Sequence, residues 1–186
     1  YFRRAFRLSN TVYFCMVQPP LFILVTGPES SGKTTLARQL AWALDGVFVA
    51  EAARDYLELQ GSNYDEADLL KIWQQQAEAE DTARASSASF VVCDTGHEVI
   101  RIWAEVKYGR CPPEVLHACT ERSYDLILLC MPDLPWVPDP LREAPDLAQR
   151  EALFARYREL LPKAIRIRGE NRLEDAIRVI TSKDLI

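Results

Sequence analysis

A chain of 186 residues has room for one domain with a small appendage, and not comfortably for two. Its 48% apolar and 10% aromatic residues are those of an ordinary globular core, which excludes wholesale disorder. A formal charge of −5 argues against nucleic acid or an anionic membrane as main partner, while one local basic pocket still suffices for a small anion.

The first fifteen residues, YFRRAFRLSNTVYFC, hold three arginines and no acid. A targeting presequence has this character, and so does a start placed too early; the second reading is favoured, because Met16 stands where a single compact domain over 16–186 would begin. Residues 1–15 are therefore expected to be an N-terminal extension. From there apolar runs alternate with helical patterns. LFILVTG (21–27) predicts a buried strand, and Leu36, Leu40 and Leu44 predict a helix over 33–44. GVFVAEA (46–52) predicts a second strand, followed by a long helix from about Asp65 to Ala85 with Leu69, Leu70, Ile72, Trp73 and Ala77 on its buried face. SFVVCDT (89–95) predicts the third strand, leading to a helix that carries Val99, Ile102, Trp103 and Val106. YDLILLCMP (124–132) and AIRIRG (164–169) predict two more strands, with a closing helix from Leu173 to Ile180. Five prolines in fifteen residues make 132–146 an irregular excursion ahead of a helix over 147–161. Strands buried on both faces and separated by helices imply a parallel sheet in an α/β sandwich.

Five cysteines, odd in number and without a CxxC pair, predict free thiols in a reducing, cytoplasmic setting. Cys111, His117 and Cys119 have the wrong spacing for the common zinc patterns, and no apolar run approaches membrane-spanning length.

GPESSGKT, from Gly27 to Thr34, fills every fixed position of a phosphate-binding loop and has a strand before it and a helix after it. Gly27 and Gly32 let the backbone aim N–H groups at phosphate oxygens, together with those of Glu29, Ser30, Ser31 and Thr35, at a helix N-terminus whose dipole favours anions. Lys33 adds a point charge for the β- and γ-phosphates, and the Thr34 hydroxyl suits Mg²⁺. The Glu29 side chain is expected to turn away from the phosphates. ATP and Mg²⁺ are the cofactors this loop predicts.

Asp94 ends an apolar strand, the place for a Mg²⁺-directed acid, though an N-cap role before the next helix also fits. The residue after it is Thr95 rather than a water-activating Glu, which favours transfer to a bound acceptor over hydrolysis; Glu98 weakens that argument. Glu51, Arg54 and Asp55 lie just beyond a strand end, where open α/β sheets bind ligands, and a carboxylate there suits an acceptor hydroxyl. An acidic helix start is the alternative. Arg142 and Arg150 flank the proline-rich excursion and suit a lid over about 132–150 that brings positive charge to a transferring phosphoryl group. Trp73 and Trp103 read as core by their helical spacing, whereas Trp136, among prolines, reads as a functional contact. His97 and His117 have no partners that suggest nucleophilic catalysis.

The series GPESSGKTTLARQLA, EAARDYL, VVCDT, IWAEVKYG, YDLILL and PWVPDPLR resembles the ribosylnicotinamide kinase domain of the NadR type, an AAA-like P-loop family, over about residues 21–180. The resemblance implies a nucleotide-kinase-like α/β fold with a lid. It also implies transfer of phosphate from ATP, with Mg²⁺, to the 5′-hydroxyl of nicotinamide riboside in NAD salvage. By matching motif, residues 27–35 would hold ATP, and Glu51 and Arg54 would line the riboside site. Asp94 would face Mg²⁺ or the hydroxyl, and Asp139 and Arg142 would belong to the lid. Three positions depart from the family pattern: Gly96 stands where members commonly carry Asp, Pro140 replaces a lid glycine, and Ala50 replaces an aromatic residue before Glu51. The expected partner is a small-molecule acceptor, with neither nucleic acid nor membrane. A kinase for another nucleoside or nucleotide and an ATP-dependent switch are the alternatives; no [NT]KxD guanine-reading motif is present.

Overall fold

Five apolar runs become five parallel strands because each is flanked by helices on both sides. The computed structural model describes residues 3–8, 11–16, 18–61 and 63–186, with side chains from residue 18 onward. Strands β1 (Arg3–Leu8) and β2 (Thr11–Met16) pair antiparallel as a separate hairpin. The side chains of the expected extension, 1–15, lie outside the described residues.

The main sheet has the order β4-β5-β3-β6-β7, with β3 (Leu21–Thr26) at its centre. β5 (Phe90–Asp94) and β6 (Leu126–Cys130) flank it in parallel, and β4 (Val47–Val49) and β7 (Ile165–Ile167) form the edges. Alternation along β3 sends Ile23 and Val25 to one face, where they meet Leu36 and Leu40 of α1 (Lys33–Ala43) and Ala176 and Ile180 of α7 (Arg172–Ser182). Phe22 and Leu24 go to the other face, against Val91 and Cys93 and beneath Ala83 of α3 (Glu66–Arg84). A third cluster joins α2 (Ala52–Gln60), α3, α4 (His97–Tyr108), α5 (Pro113–Glu121) and α6 (Leu147–Leu160). The connection after β3 runs to the β4 edge and the one after β5 crosses to β6 on the other side of β3, so a crevice opens above the C-terminal ends of β3 and β5.

The second strand is shorter than the 46–52 expected. β4 stays in register with β5 only from Val47 to Val49; Glu51 then caps α2, where the Ala52 N–H donates to the Gln76 side chain at 3.0 Å. The acidic helix start offered as the alternative reading of Glu51, Arg54 and Asp55 is α2, though its extent was not anticipated, nor was α5, because each buries two residues only, Ala53 with Leu57 and Val115 with Ala118. The start of α3 is written in the sequence: Asp65 and Asp68 form a reciprocal capping box, each bond 3.0 Å. Residues 131–146 carry no helix or strand, as five prolines require. Among the described residues, no helix is long and apolar enough to cross a membrane.

Candidate active site

The phosphate loop leaves β3 and turns into α1. Gly27 has φ 145°, and a Cβ there would lie 2.5 Å from the Cys130 carbonyl oxygen, so only glycine lets the loop cross β6 this closely. Ser30, at φ 55°, carries the backbone through the tightest part of the turn. Lys33 and Thr34 open α1 and face a cleft shared with Glu29, Glu51, Arg54, Trp103, Leu141 and Arg142. A deeper recess of the same cleft brings Gly27, Lys33 and Glu51 against Trp103, Leu153 and Tyr157.

Asp94 is 2% exposed at the C-terminal end of β5, next to β3. Burial pushes its carboxyl up to about 6; the Glu51 charge adds to this, while Lys33, the Thr34 hydroxyl and Arg38 oppose it. Its Oδ1 has no hydrogen-bond partner among the described residues. Thr95 follows at φ 66°, an unfavourable conformation for a β-branched residue, held by its N–H to the Val25 carbonyl at 2.9 Å.

The departure at Gly96 has a steric cause. A Cβ there would stand 2.3 Å from the Tyr124 hydroxyl and 2.8 Å from Glu98 Oε2. Glu98 is buried and turned away from the cleft: its Oε1 accepts from the Thr26 hydroxyl at 2.6 Å and the Gly96 N–H at 3.2 Å. It thus braces the end of β3 against the turn after Asp94 and is not placed to activate water. His97 is buried with its Nε2 3.4 Å from Glu80 Oε2, within the same scaffold. Gly96→Asp is expected to cost about 2–3 kcal/mol of folding stability, because the new side chain must displace Tyr124 and Glu98; urea titration measures it.

The 132–146 segment arches over the loop and the start of α2. Asp139 pairs with Arg54 at 3.0 Å, and the Leu141 N–H followed by Arg54 holds its carboxyl below the usual range. The Arg142 guanidinium donates to the Val137 carbonyl and lines the cleft. Glu29 lines the cleft too, with its Oε2 turned toward the backbone of residues 143 and 144.

The tryptophans correct the sequence-based expectation. Trp103 is only partly core: one side packs into the α4 cluster, its ring stacks with Tyr64 at 5.8 Å, and it walls the cleft. Helical spacing reports that a face is covered, and does not tell protein from ligand as the cover. Trp136 does not line the cleft; it sits between Arg142 and Arg150, whose guanidinium carbons are 5.8 and 5.3 Å from its ring centre. Arg150, expected on the lid, lies within α6 and is 4% exposed, with Nε and Nη1 unpartnered among the described residues. Leu153 and Tyr157 of α6 also reach the recess, and no motif announced them.

The AAA_28 family, an AAA domain, matches residues 22–168 of the chain. The trifunctional NAD biosynthesis/regulator protein NadR of Salmonella typhimurium is 29% identical over 161 residues, covering 82% of this chain and 36% of that protein. NadR of Escherichia coli K12 is 31% identical over 129 residues, covering 64% of this chain and 30% of that one. The chain therefore spans about a third of the length of these relatives. Among solved structures, NadR protein in complex with NR superposes with TM-score 0.70 at 21% identity, covering 88% of this chain and 50% of that one. NadR protein in complex with NAD and AMP-PNP gives 0.67 at 23%, covering 90% and 50%. Thymidylate kinase from Ehrlichia chaffeensis gives 0.58 at 18%, covering 90% and 100%, a likeness of fold alone. With its parallel sheet, phosphate loop and flanking helices, this chain belongs to the AAA_28 family and has the nucleotide-kinase form of the P-loop fold.

Proposed function

We propose that this chain is a kinase that transfers the γ-phosphoryl group of ATP, with Mg²⁺, to the 5′-hydroxyl of nicotinamide riboside, giving nicotinamide mononucleotide. The observation that carries this reading is the single cleft in which Lys33 and Thr34 meet Glu51, Arg54, Trp103 and Arg142. The acceptor oxygen forms the new bond to phosphorus as the bond from the γ-phosphorus to the bridging oxygen of ADP breaks. The hydroxyl proton passes to Glu51, the carboxylate that faces Lys33 across the cleft. Lys33 and Arg142 bring positive charge to the transferring group. The buried Asp94 Oδ1 without a partner and the Thr34 hydroxyl beside it are hard oxygen donors that fit Mg²⁺, which would neutralise phosphate charge there. The segment over 132–146 acts as the lid.

The far end of the cleft speaks to the acceptor. Leu57, Tyr64, Trp103, Leu141, Glu29 and Glu143 close it, an aromatic and acidic surface suited to a cationic pyridinium nucleoside. Of the cations near it, Arg54 is engaged by Asp139 and Glu58, and Lys107 lies 3.4 Å from the Tyr64 ring centre and donates to the Tyr64 carbonyl, which disfavours a nucleoside monophosphate as acceptor. NadR relatives and a NadR structure in complex with NR support the same reading.

The test is incubation of the purified protein with Mg·ATP and nicotinamide riboside, followed by mass spectrometry. The mononucleotide and ADP should appear in equal amounts; no product at any enzyme concentration sinks the assignment, and faster transfer to another nucleoside replaces the acceptor. Trp103→Ala is expected to raise the acceptor KM about tenfold, the value of one aromatic contact, with the KM for Mg·ATP little changed. Steady-state kinetics in both substrates measures this.

A further inference from the structure

Glu29 and Ser30 occupy variable positions of the phosphate loop, where the motif asks for no particular side chain. Both are engaged with the lid. Glu29 Oε2 accepts the N–H groups of Glu143 and Ala144, each at 2.9 Å. The Ser30 hydroxyl accepts the Val137 N–H at 3.0 Å and donates to the Pro135 carbonyl at 3.2 Å. These fastenings bracket Arg142, and its guanidinium is bound inside the bracket to the Val137 carbonyl.

The physical need for such fastenings is clear. A segment with five prolines lacks the N–H groups and the regular ladder that would fix its place, so side chains must supply its register. A carboxylate oxygen taking two successive N–H groups is a charge-assisted contact, stronger than a neutral one. Because Glu29 rides on the phosphate loop, it ties the height of the lid to that loop.

We propose that Glu29 is a positioning residue that latches the lid to the phosphate loop and so sets Arg142 over the cleft, with Ser30 as a second, separate fastening. The latch stands on this geometry; its effect on turnover rests on the kinase reading above.

The experiment compares the full chain with Glu29→Ala, Glu29→Gln and Ser30→Ala, following backbone amide exchange by NMR. Glu29→Ala should speed exchange at Glu143 and Ala144 about tenfold, whereas Glu29→Gln, which keeps a carbonyl acceptor, should fall between it and the parent. Ser30→Ala should speed exchange at Val137 and leave residues 143 and 144 protected. In kinetics, Glu29→Ala should lower kcat at saturating acceptor about tenfold, a loss that a missing acceptor contact alone would put in KM, while affinity for a non-hydrolysable ATP analogue stays within about twofold. Unchanged exchange at Glu143 and Ala144 in Glu29→Ala overturns the latch. A loss lying wholly in nucleotide affinity overturns it too, and makes Glu29 an ATP ligand. Should the parent phosphorylate no nucleoside, the kinase reading falls, and the exchange data still decide the latch.

Discussion

Lys33→Ala is expected to slow phosphoryl transfer by about a thousandfold, equivalent to roughly 4 kcal/mol of transition-state stabilisation, without unfolding the protein. Lys33 opens α1, where the helix dipole and the loop N–H groups already favour an anion, and its ammonium group faces the cleft across from Glu51. Removing that charge leaves developing negative charge on the γ-phosphoryl oxygens with Arg142 and the Asp139-paired Arg54 as the cations remaining in the cleft. The side chain is half-buried and belongs to none of the apolar clusters, so the melting temperature should change little. Lys33→Arg should not restore the rate, because a planar fork cannot take the place of a compact ammonium in this turn. Single-turnover kinetics with Mg·ATP and nicotinamide riboside reads the effect. Turnover within about tenfold of the parent would show that the lysine does not face the transferring group.

What the sequence told in advance divides along physical lines. The phosphate loop was legible because its constraint is backbone geometry: Gly27 has no room for a Cβ, and the apolar run before it and the Leu36–Leu40 spacing after it announce strand and helix. The order of the strands was not, since all five read alike as buried runs; only the paired register sets β3 at the centre. Helices α2 and α5 bury two residues apiece, too few for a period to show. The proline excursion was evident as an irregular segment, but its attachment was not, because Glu29 and Ser30 meet it across more than a hundred residues. Trp103 packs on the α4 cluster as its spacing announced, but the spacing could not show that it also walls the cleft, because an apolar face on a helix looks identical whatever covers it. At Gly96 the sequence showed a missing acid, and only the positions of Tyr124 and Glu98 reveal why none fits.

Asp94→Asn should separate function from stability by moving them in opposite directions. The carboxyl is buried, lacks a partner for Oδ1, and is pushed up to about 6, chiefly by burial and then by Glu51. A folded-state value above the unfolded one means that the protonated form suits the native state and the ionised form strains it. The contribution to stability is complete below the usual carboxylate range and is lost as pH rises through about 6. A displacement of this size corresponds to about 2–3 kcal/mol at neutral pH. Without nucleotide, the asparagine variant should therefore be more stable than the parent by about that amount at pH 7.5 and nearly equal to it at pH 4. Urea titrations at several pH values measure the crossing. With Mg·ATP the order should reverse, because the charge that strains the empty site suits a cation there, and transfer by the variant should fall about a hundredfold or more. A variant less stable than the parent at pH 7.5 would mean that the Asp94 carboxylate is stabilised in the free protein, and the strain reading would fail. The exchange of stability for charge at this residue is what a site built for a metal-bound triphosphate should display.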